Sequence, residues 1–364
     1  MQSIREALAG NAPLVLAAGG LVIGCVFGAV VFKTNYCAMG SLSDIHNFAD
    51  YRRFRAWLLA AATAVLGAQL LHSLGIVALD KSMYLAPTLN WFGHGLGGIL
   101  FGIGMVFAGG CPSRNLARAG GGDLRSLMTL IVLGLSAYVA IGGLLGPARV
   151  FLESKTAIRL PLSGQGLGQV LGAAVGAPPA LANLAATAVV LTASLAYCAR
   201  DKAFRRSSVH IISGLAVGAC VVAGWALTGL AFDELAPRLV QPASLTYVRP
   251  AGDAIEWLQR FTADPVPGFG VSSVFGALVG AFAAARAVGR FRLIGFSDTA
   301  DMIRHLAGAV LMGVGGVLAL GCTVGQAVTG VSTLALGSLL TFAAIVVGGF
   351  WGLRLLERTM LDAN

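Results

Sequence analysis

The sequence predicts an all-α integral membrane protein of about nine transmembrane helices with short re-entrant helices, arranged as two halves of inverted topology. Three observations predict it. Of 364 residues, 57% are hydrophobic and only 11% charged, with 50 glycines and a mean hydropathy of +0.81, far from the make-up of a soluble domain. Nine apolar runs are long enough to cross a hydrocarbon core of roughly 30 Å as helices. A Gly-rich pattern ending in Gly-Cys closes the third run and recurs at the end of the eighth.

The runs lie at 14–32, 56–77, 93–108, 124–146, 177–198, 209–230, 269–289, 304–320 and 333–354. In the first, Val22, Ile23 and Gly24 before Cys25 fit the short pattern that precedes a lipidated cysteine. The apolar run continues to Phe32, and Arg5 stands beside Glu6, so Cys25 reads as a small packing residue of a membrane span. The third run breaks at Gly109 and Gly110. Non-helical backbone at membrane depth is tolerated only where protein buries it or where it lines a watery cavity, so this break argues for a pathway lining.

The formal charge of +9 comes from short Lys and Arg clusters between the runs and not from one basic patch, which argues against nucleic acid as a partner. Alternating sides puts Lys33, Arg52, Arg53, Arg55, Arg114, Arg118, Arg125, Arg200, Lys202, Arg205, Arg206, Arg286, Arg290, Arg292, Arg304, Arg354 and Arg358 on one face. Arg5, Lys81, Arg149, Lys155, Arg159, Arg238, Arg249 and Arg260 fall on the other, the last three beside Asp233, Glu234, Asp253, Glu256 and Asp264. The positive-inside rule then sets the N-terminus outside and the C-terminus in the cytoplasm.

Sliding the chain on itself by 211 residues aligns His94 with His305, Gly97 with Gly308, Leu100 with Leu311, Gly102 with Gly313 and Gly104 with Gly315. The same offset aligns Val106 with Val317, Ala108 with Ala319, Gly110 with Gly321 and Cys111 with Cys322. The copies sit five spans apart, so they cross in opposite directions: an inverted repeat, with residues 1–200 as one half and 201–364 as the other, within one membrane domain. GLVIG at Gly20 to Gly24 and GLAVG at Gly214 to Gly218, again five spans apart, echo the duplication. Paired short Gly-rich spans in inverted halves point to a site near the membrane midplane. Helix packing accounts for Gly102, Gly104, Gly313 and Gly315. It does not account for the cysteines.

Cys25, Cys198 and Cys220 lie inside apolar runs and read as packing residues. Cys37, Cys111 and Cys322 each follow a span and precede the start of a short helix. At Cys111 the evidence is best, because Pro112 suits the first helical position. A short helix from Ser113 to Ala119, closed by Gly120, Gly121 and Gly122, completes a re-entrant element whose positive end and unpaired N–H groups attract an anion.

The segments NYCAMGSLSD, GGCPSRNLARAGGGDLRSL, GCTVGQAVTGVSTLALGSLL and LTYVRPAGDAIEWL together resemble the YeeE/YedE family of bacterial inner-membrane sulfur transporters, over nearly the whole chain. The resemblance implies an hourglass of two inverted halves and import of thiosulfate into the cytoplasm, with Cys322, Cys111 and Cys37 contacting the substrate sulfur in turn from outside to inside. It also implies a transporter rather than an enzyme, no cofactor or metal, and a cytoplasmic TusA-like or rhodanese-like sulfur carrier as partner. The second half has no counterpart of Cys37; a polar loop around Ser244 to Pro250 takes its place.

Supporting roles are read more openly. Asn115 and Gln326, paired in the repeat, either orient a cysteine or the ligand, or cap the short helices. Arg114 and Arg118 read as positive-inside anchors before anion attractors, since Gly325 replaces Arg114 in the second copy. His94 and His305 read as interfacial residues. No carboxylate lies well inside a span, so no proton relay is visible, and no GxxxxGK[ST] occurs. The same fold carrying another sulfur or selenium species remains an alternative. So does a membrane thiol redox or sulfurtransferase protein, although it lacks a CxxC pair, and so does soft-metal binding by the three cysteines.

Overall fold

A computed structural model describes residues 11–232 and 240–361; Arg5, Glu6, Asp233, Glu234 and Arg238 lie outside the described residues. Its helices in chain order are α1 (Ala12–Thr34), α2 (Ala38–Phe48), α3 (Arg52–Ser73), α4 (Trp91–Phe107), α5 (Pro112–Gly120), α6 (Leu124–Ile141), α7 (Gly146–Thr156), α8 (Leu167–Val175), α9 (Pro179–Ala199), α10 (Lys202–Arg205), α11 (Ser208–Leu230), α12 (Arg249–Gln259), α13 (Phe269–Ala287), α14 (Thr299–Leu318) and α15 (Leu336–Leu361). Between α14 and α15 a further short helix passes through a π-helical stretch, Gly325–Gly330. Among the described residues, nine helical segments are long and apolar enough to cross a membrane, and each coincides with one of the nine apolar runs. The chain is an all-α, multi-pass membrane protein. The one sheet among the described residues is a two-stranded antiparallel pairing of Thr88–Leu89 with Ile158–Arg159.

The element order recurs. A span, a short helix, a span, a span ending in a break, a short helix and a span occur as α1 to α6, and again from α11 onward. The two series interlock reciprocally: α1 packs on α13 and α11 on α3, while α4 packs on α15 and α14 on α6, with α4 and α14 crossing each other. Small residues at the crossings let the backbones touch, which is how helices associate where lipid removes the hydrophobic drive between them. A Cβ at Gly104 would stand 2.7 Å from the Gly308 carbonyl oxygen, and one at Gly308 would stand 2.6 Å from the Ala108 nitrogen. On α1 and α13, Gly28 meets Ala277 and Gly280 meets the Cys25 carbonyl in the same way. Cys25 is thus at a packing seam, and the Cys198 thiol donates to the Arg55 carbonyl at 3.4 Å.

Two local expectations change. The segment from Ser244 to Val248 is irregular, as a loop should be, but it is buried rather than polar and open: Leu245 and Tyr247 are fully buried, and the chain forms α12 from Arg249 on. On α12 the charged residues Arg249, Asp253 and Glu256 gather on one side, leaving Pro250, Ala251, Gly252 and Ala254 to pack. His94 and His305 are buried within the protein, because Thr341 Oγ1 at 2.7 Å and the Asp301 carbonyl at 2.8 Å give their rings partners.

Candidate functional site

The site is built on two broken spans. After α4 the chain turns through Gly109 and Gly110, at φ of 67° and 155°, and at Gly109 the left-handed backbone favours glycine. The matching turn after α14 is made by Leu320 and Gly321, at φ of 58° and 159°. A leucine held there costs roughly 1–2 kcal/mol, so the break persists in the second copy against the residue's own preference. Asn115 Nδ2 donates to the Gly110 carbonyl at 2.8 Å, and Gln326 Nε2 donates to the Ala319 carbonyl at 2.7 Å. The paired amides neither cap a helix N-terminus nor touch a thiol; they satisfy the carbonyls that the breaks release.

Each break delivers a cysteine to a helix start. Cys111 is the N-cap of α5 with Pro112 at the first helical position, as expected, and the helix runs to Gly120. Cys37 is the N-cap of α2, its Sγ accepting from the Gly40 N–H at 3.3 Å; Cys322 Sγ accepts from the Gly325 N–H at 3.3 Å. These thiols hold the place usually taken by Ser, Thr or Asp. The Cys111 side chain makes no such cap bond and contacts Ser113 Oγ at 3.1 Å instead, so the N–H groups of the first turn of α5 keep their capacity for another acceptor.

Cys37 is 6% exposed, and Cys111 and Cys322 are fully buried. Cys111 lies within electrostatic range of both Cys37 and Cys322, so the structure brings the three sequence-selected thiols to one region with Cys111 adjoining the other two. Ala38 and Ser41 of α2 line the same small cavity as Thr323 and Ala327 beyond Cys322, and its volume is about 20 Å³. That holds little more than one water. A cavity of about 740 Å³ lies between α3, α8 and α9, and none of these cysteines lines it.

Sequence reading passed over several residues here. Tyr36 and Tyr247 are buried, and neither hydroxyl has a hydrogen-bond partner among the described residues. Tyr36 lies in electrostatic range of Cys37 and Cys111, and Tyr247 of Cys322. The signal was present: the offset of 211 that pairs Cys111 with Cys322 also pairs Tyr36 with Tyr247. Thr246 Oγ1 stands 4.0 Å from Cys322 Sγ, and the Thr323 hydroxyl is buried without a partner.

Three arginines converge here, Arg53 and Arg114 in electrostatic range of Cys37 and Arg118 in range of Arg114. Arg53 pairs with Asp44 at 3.3 Å, and Arg118 pairs with Asp123 at 2.6 Å while donating to the Gly109 carbonyl at 3.1 Å. Arg118 is therefore more than an anchor, since it holds the break. Burial would raise the Asp123 pKa, but hydrogen bonds from Arg125 and Arg118 outweigh it and hold the carboxyl below the usual range. Arg125 reaches on to Asp301 at 3.7 Å, tying α6 to α14.

The sequence pattern of a family described as sulphur transport matches residues 33–351. A thiosulfate transporter, TsuA, of Spirochaeta thermophila is 26% identical over 338 residues, covering 91% of this chain and 96% of its own length. The protein of the same name from Escherichia coli is 26% identical over 323 residues, covering 84% and 85%. The match takes in both breaks and Cys37, Cys111 and Cys322, and the chain belongs to the sulphur transport family, YeeE/YedE.

Proposed function

We propose that this protein imports thiosulfate across the bacterial inner membrane, through a pathway in which Cys322, Cys111 and Cys37 contact the substrate sulfur in that order. The observation that carries the reading is the burial of Cys111 at a helix break, with the helix-capping thiols of Cys37 and Cys322 each in electrostatic range of it. The relatives' names support the substrate, and the distribution of Lys and Arg supports an outer N-terminus and a cytoplasmic C-terminus. In this reading residues 1–200 and 201–364 are inverted halves meeting at the breaks, and a TusA-like or rhodanese-like carrier receives the sulfur on the cytoplasmic side. The protein is then a transporter rather than an enzyme.

The physics sets a division of labour. One bare charge at the bilayer centre costs several kcal/mol, and thiosulfate carries two. A thiol is a weak donor and cannot replace a hydration shell. Helix N-termini contribute up to about 2 kcal/mol each in favourable, partly buried geometry, with N–H donors besides. The short helices thus supply affinity, while the thiols discriminate a sulfur-bearing anion from sulfate. Several weak contacts suit passage better than one strong one, because the substrate must leave.

Uptake of thiosulfate into liposomes holding the purified protein, compared with sulfate, sulfite and selenite and run with and without a proton gradient, tests the substrate and its coupling. Preference for thiosulfate supports the reading; equal uptake of sulfate refutes the role given to the thiols.

A further inference from the structure

The three thiols account for one end of the substrate only. A sulfur-bearing oxyanion also presents oxygens, and these call for stronger donors than S–H. Two such donors are already buried beside the thiols. Tyr36 is 4% exposed and stacked on Trp57 at 5.3 Å, and Tyr247 is fully buried and held against Phe27 at 5.2 Å, so neither ring is free to turn its hydroxyl to water. Both hydroxyls lack a partner, a costly condition for a buried polar group unless a ligand relieves it. If the two rings served packing alone, phenylalanine would serve better.

A cation completes the set. Of the three arginines near Cys37 and Cys111, Arg53 and Arg118 are neutralised by Asp44 and Asp123. Arg114, half-buried and in electrostatic range of both thiols, has neither an ion pair nor a hydrogen bond among the described residues. A guanidinium offers a planar fork of donors suited to an oxyanion. At the matching position of the second copy stands Gly325, and the Thr246 side chain fills the space a Cβ would need. The charge is therefore one-sided.

We propose that Tyr36, Tyr247 and Arg114 form the oxyanion-recognising side of the pathway: the two phenols donate to the substrate oxygens on either side of Cys111, and Arg114 supplies the counter-charge on the Cys37 side. The proposal rests on the transport reading above and deepens it. The thiols take the sulfur end, the phenols the oxygen end, and the anion is held most strongly between Cys111 and Cys37. On the Cys322 side the donors named among the described residues, Tyr247 and Thr246, are uncharged.

The test measures thiosulfate uptake by liposomes against concentration for Tyr36→Phe, Tyr247→Phe, Arg114→Gln and Arg114→Lys, with Cys111→Ala alongside. The melting temperature of each purified variant is taken with and without thiosulfate. We expect KM to rise about fivefold or more for each Phe variant and about tenfold or more for Arg114→Gln, with kcat within about threefold, as for loss of hydrogen bonds to a charged group. Arg114→Lys recovers much of the loss, and Arg114→Gln keeps its ligand-free melting temperature but loses the shift produced by thiosulfate. Wild-type KM in both Phe variants and in Arg114→Gln, with Cys111→Ala inactive, overturns this proposal alone. Normal uptake by Cys111→Ala overturns the transport pathway beneath it.

Discussion

Replacing Asn115 with leucine removes a side-chain amide of nearly the same shape and tests whether the broken span is held as described. Asn115 is fully buried; its Nδ2 donates to the Gly110 carbonyl at 2.8 Å and lies 3.4 Å from the Cys111 carbonyl. Leucine leaves the Gly110 oxygen unpaired in a buried setting, which costs about 1–3 kcal/mol. The Asn115 Oδ1 is itself buried without a partner, so its removal returns part of that cost. A net loss of about 1–2 kcal/mol is expected, read as a melting temperature lower by roughly 2–4 °C per kcal/mol in detergent. On the proposed role of Cys111 the functional loss is larger, because the freed carbonyl lets the peptide before Cys111 turn and moves the thiol off the proposed pathway. Uptake measured well below the melting temperature, at matched protein, should fall about tenfold, as happens when a contact is misplaced by an ångström or so. A lower melting temperature with unchanged uptake would show the amide to be structural only, and no change in either would refute the account of the break.

Three further outcomes follow from the packing. Gly308→Ala places a methyl 2.6 Å from the Ala108 nitrogen and forces α4 and α14 apart just before the break, costing about 1–3 kcal/mol; Gly95→Ala, with open space around it, leaves the melting temperature unchanged or raises it. Asp123→Asn takes the carboxylate from Arg118 and leaves Arg125 only its longer pair with Asp301, destabilising by on the order of 3 kcal/mol, seen as a lower melting temperature at neutral pH. Because the folded pKa of Asp123 is depressed, its stabilisation is present above the ordinary carboxylate value of about 4 and is lost as pH falls through the lower folded value. The acid-side loss of stability should therefore be shallower in Asp123→Asn than in the unmodified protein.

The nine spans were legible because hydropathy adds up along a segment whatever its neighbours do. Cys111 could be placed at a helix start because Pro112 is a local signal, and Cys322 followed through the repeat. Other features depend on contacts that no local pattern carries. Arg114 resembles Arg53 and Arg118 in sequence and differs only in lacking a carboxylate opposite it. Arg118 read as an anchor because its bond to the Gly109 carbonyl spans a turn that bends back on itself. The burial of His94 and His305 depends on Thr341 and Asp301 facing them. The segment before α12 read as polar because Ser244 and Thr246 alternate with Leu245 and Tyr247 and Arg249 follows, while the fold buries Ser244, Leu245 and Tyr247 and half-buries Thr246. There the repeat offered a signal that went unused: Ala38–Phe48 and Arg249–Gln259 are separated by the same offset as the cysteines.

The central claim is that the thiol of Cys111 lies on the substrate's route, and uptake of thiosulfate by liposomes containing Cys111→Ala measures it directly. The comparison is the protein in which Cys25, Cys198 and Cys220 are all alanine and Cys37, Cys111 and Cys322 remain. The account predicts uptake close to that of the unmodified protein for the triple variant and loss of uptake for Cys111→Ala at equal amounts of folded protein. Full uptake by Cys111→Ala would contradict it.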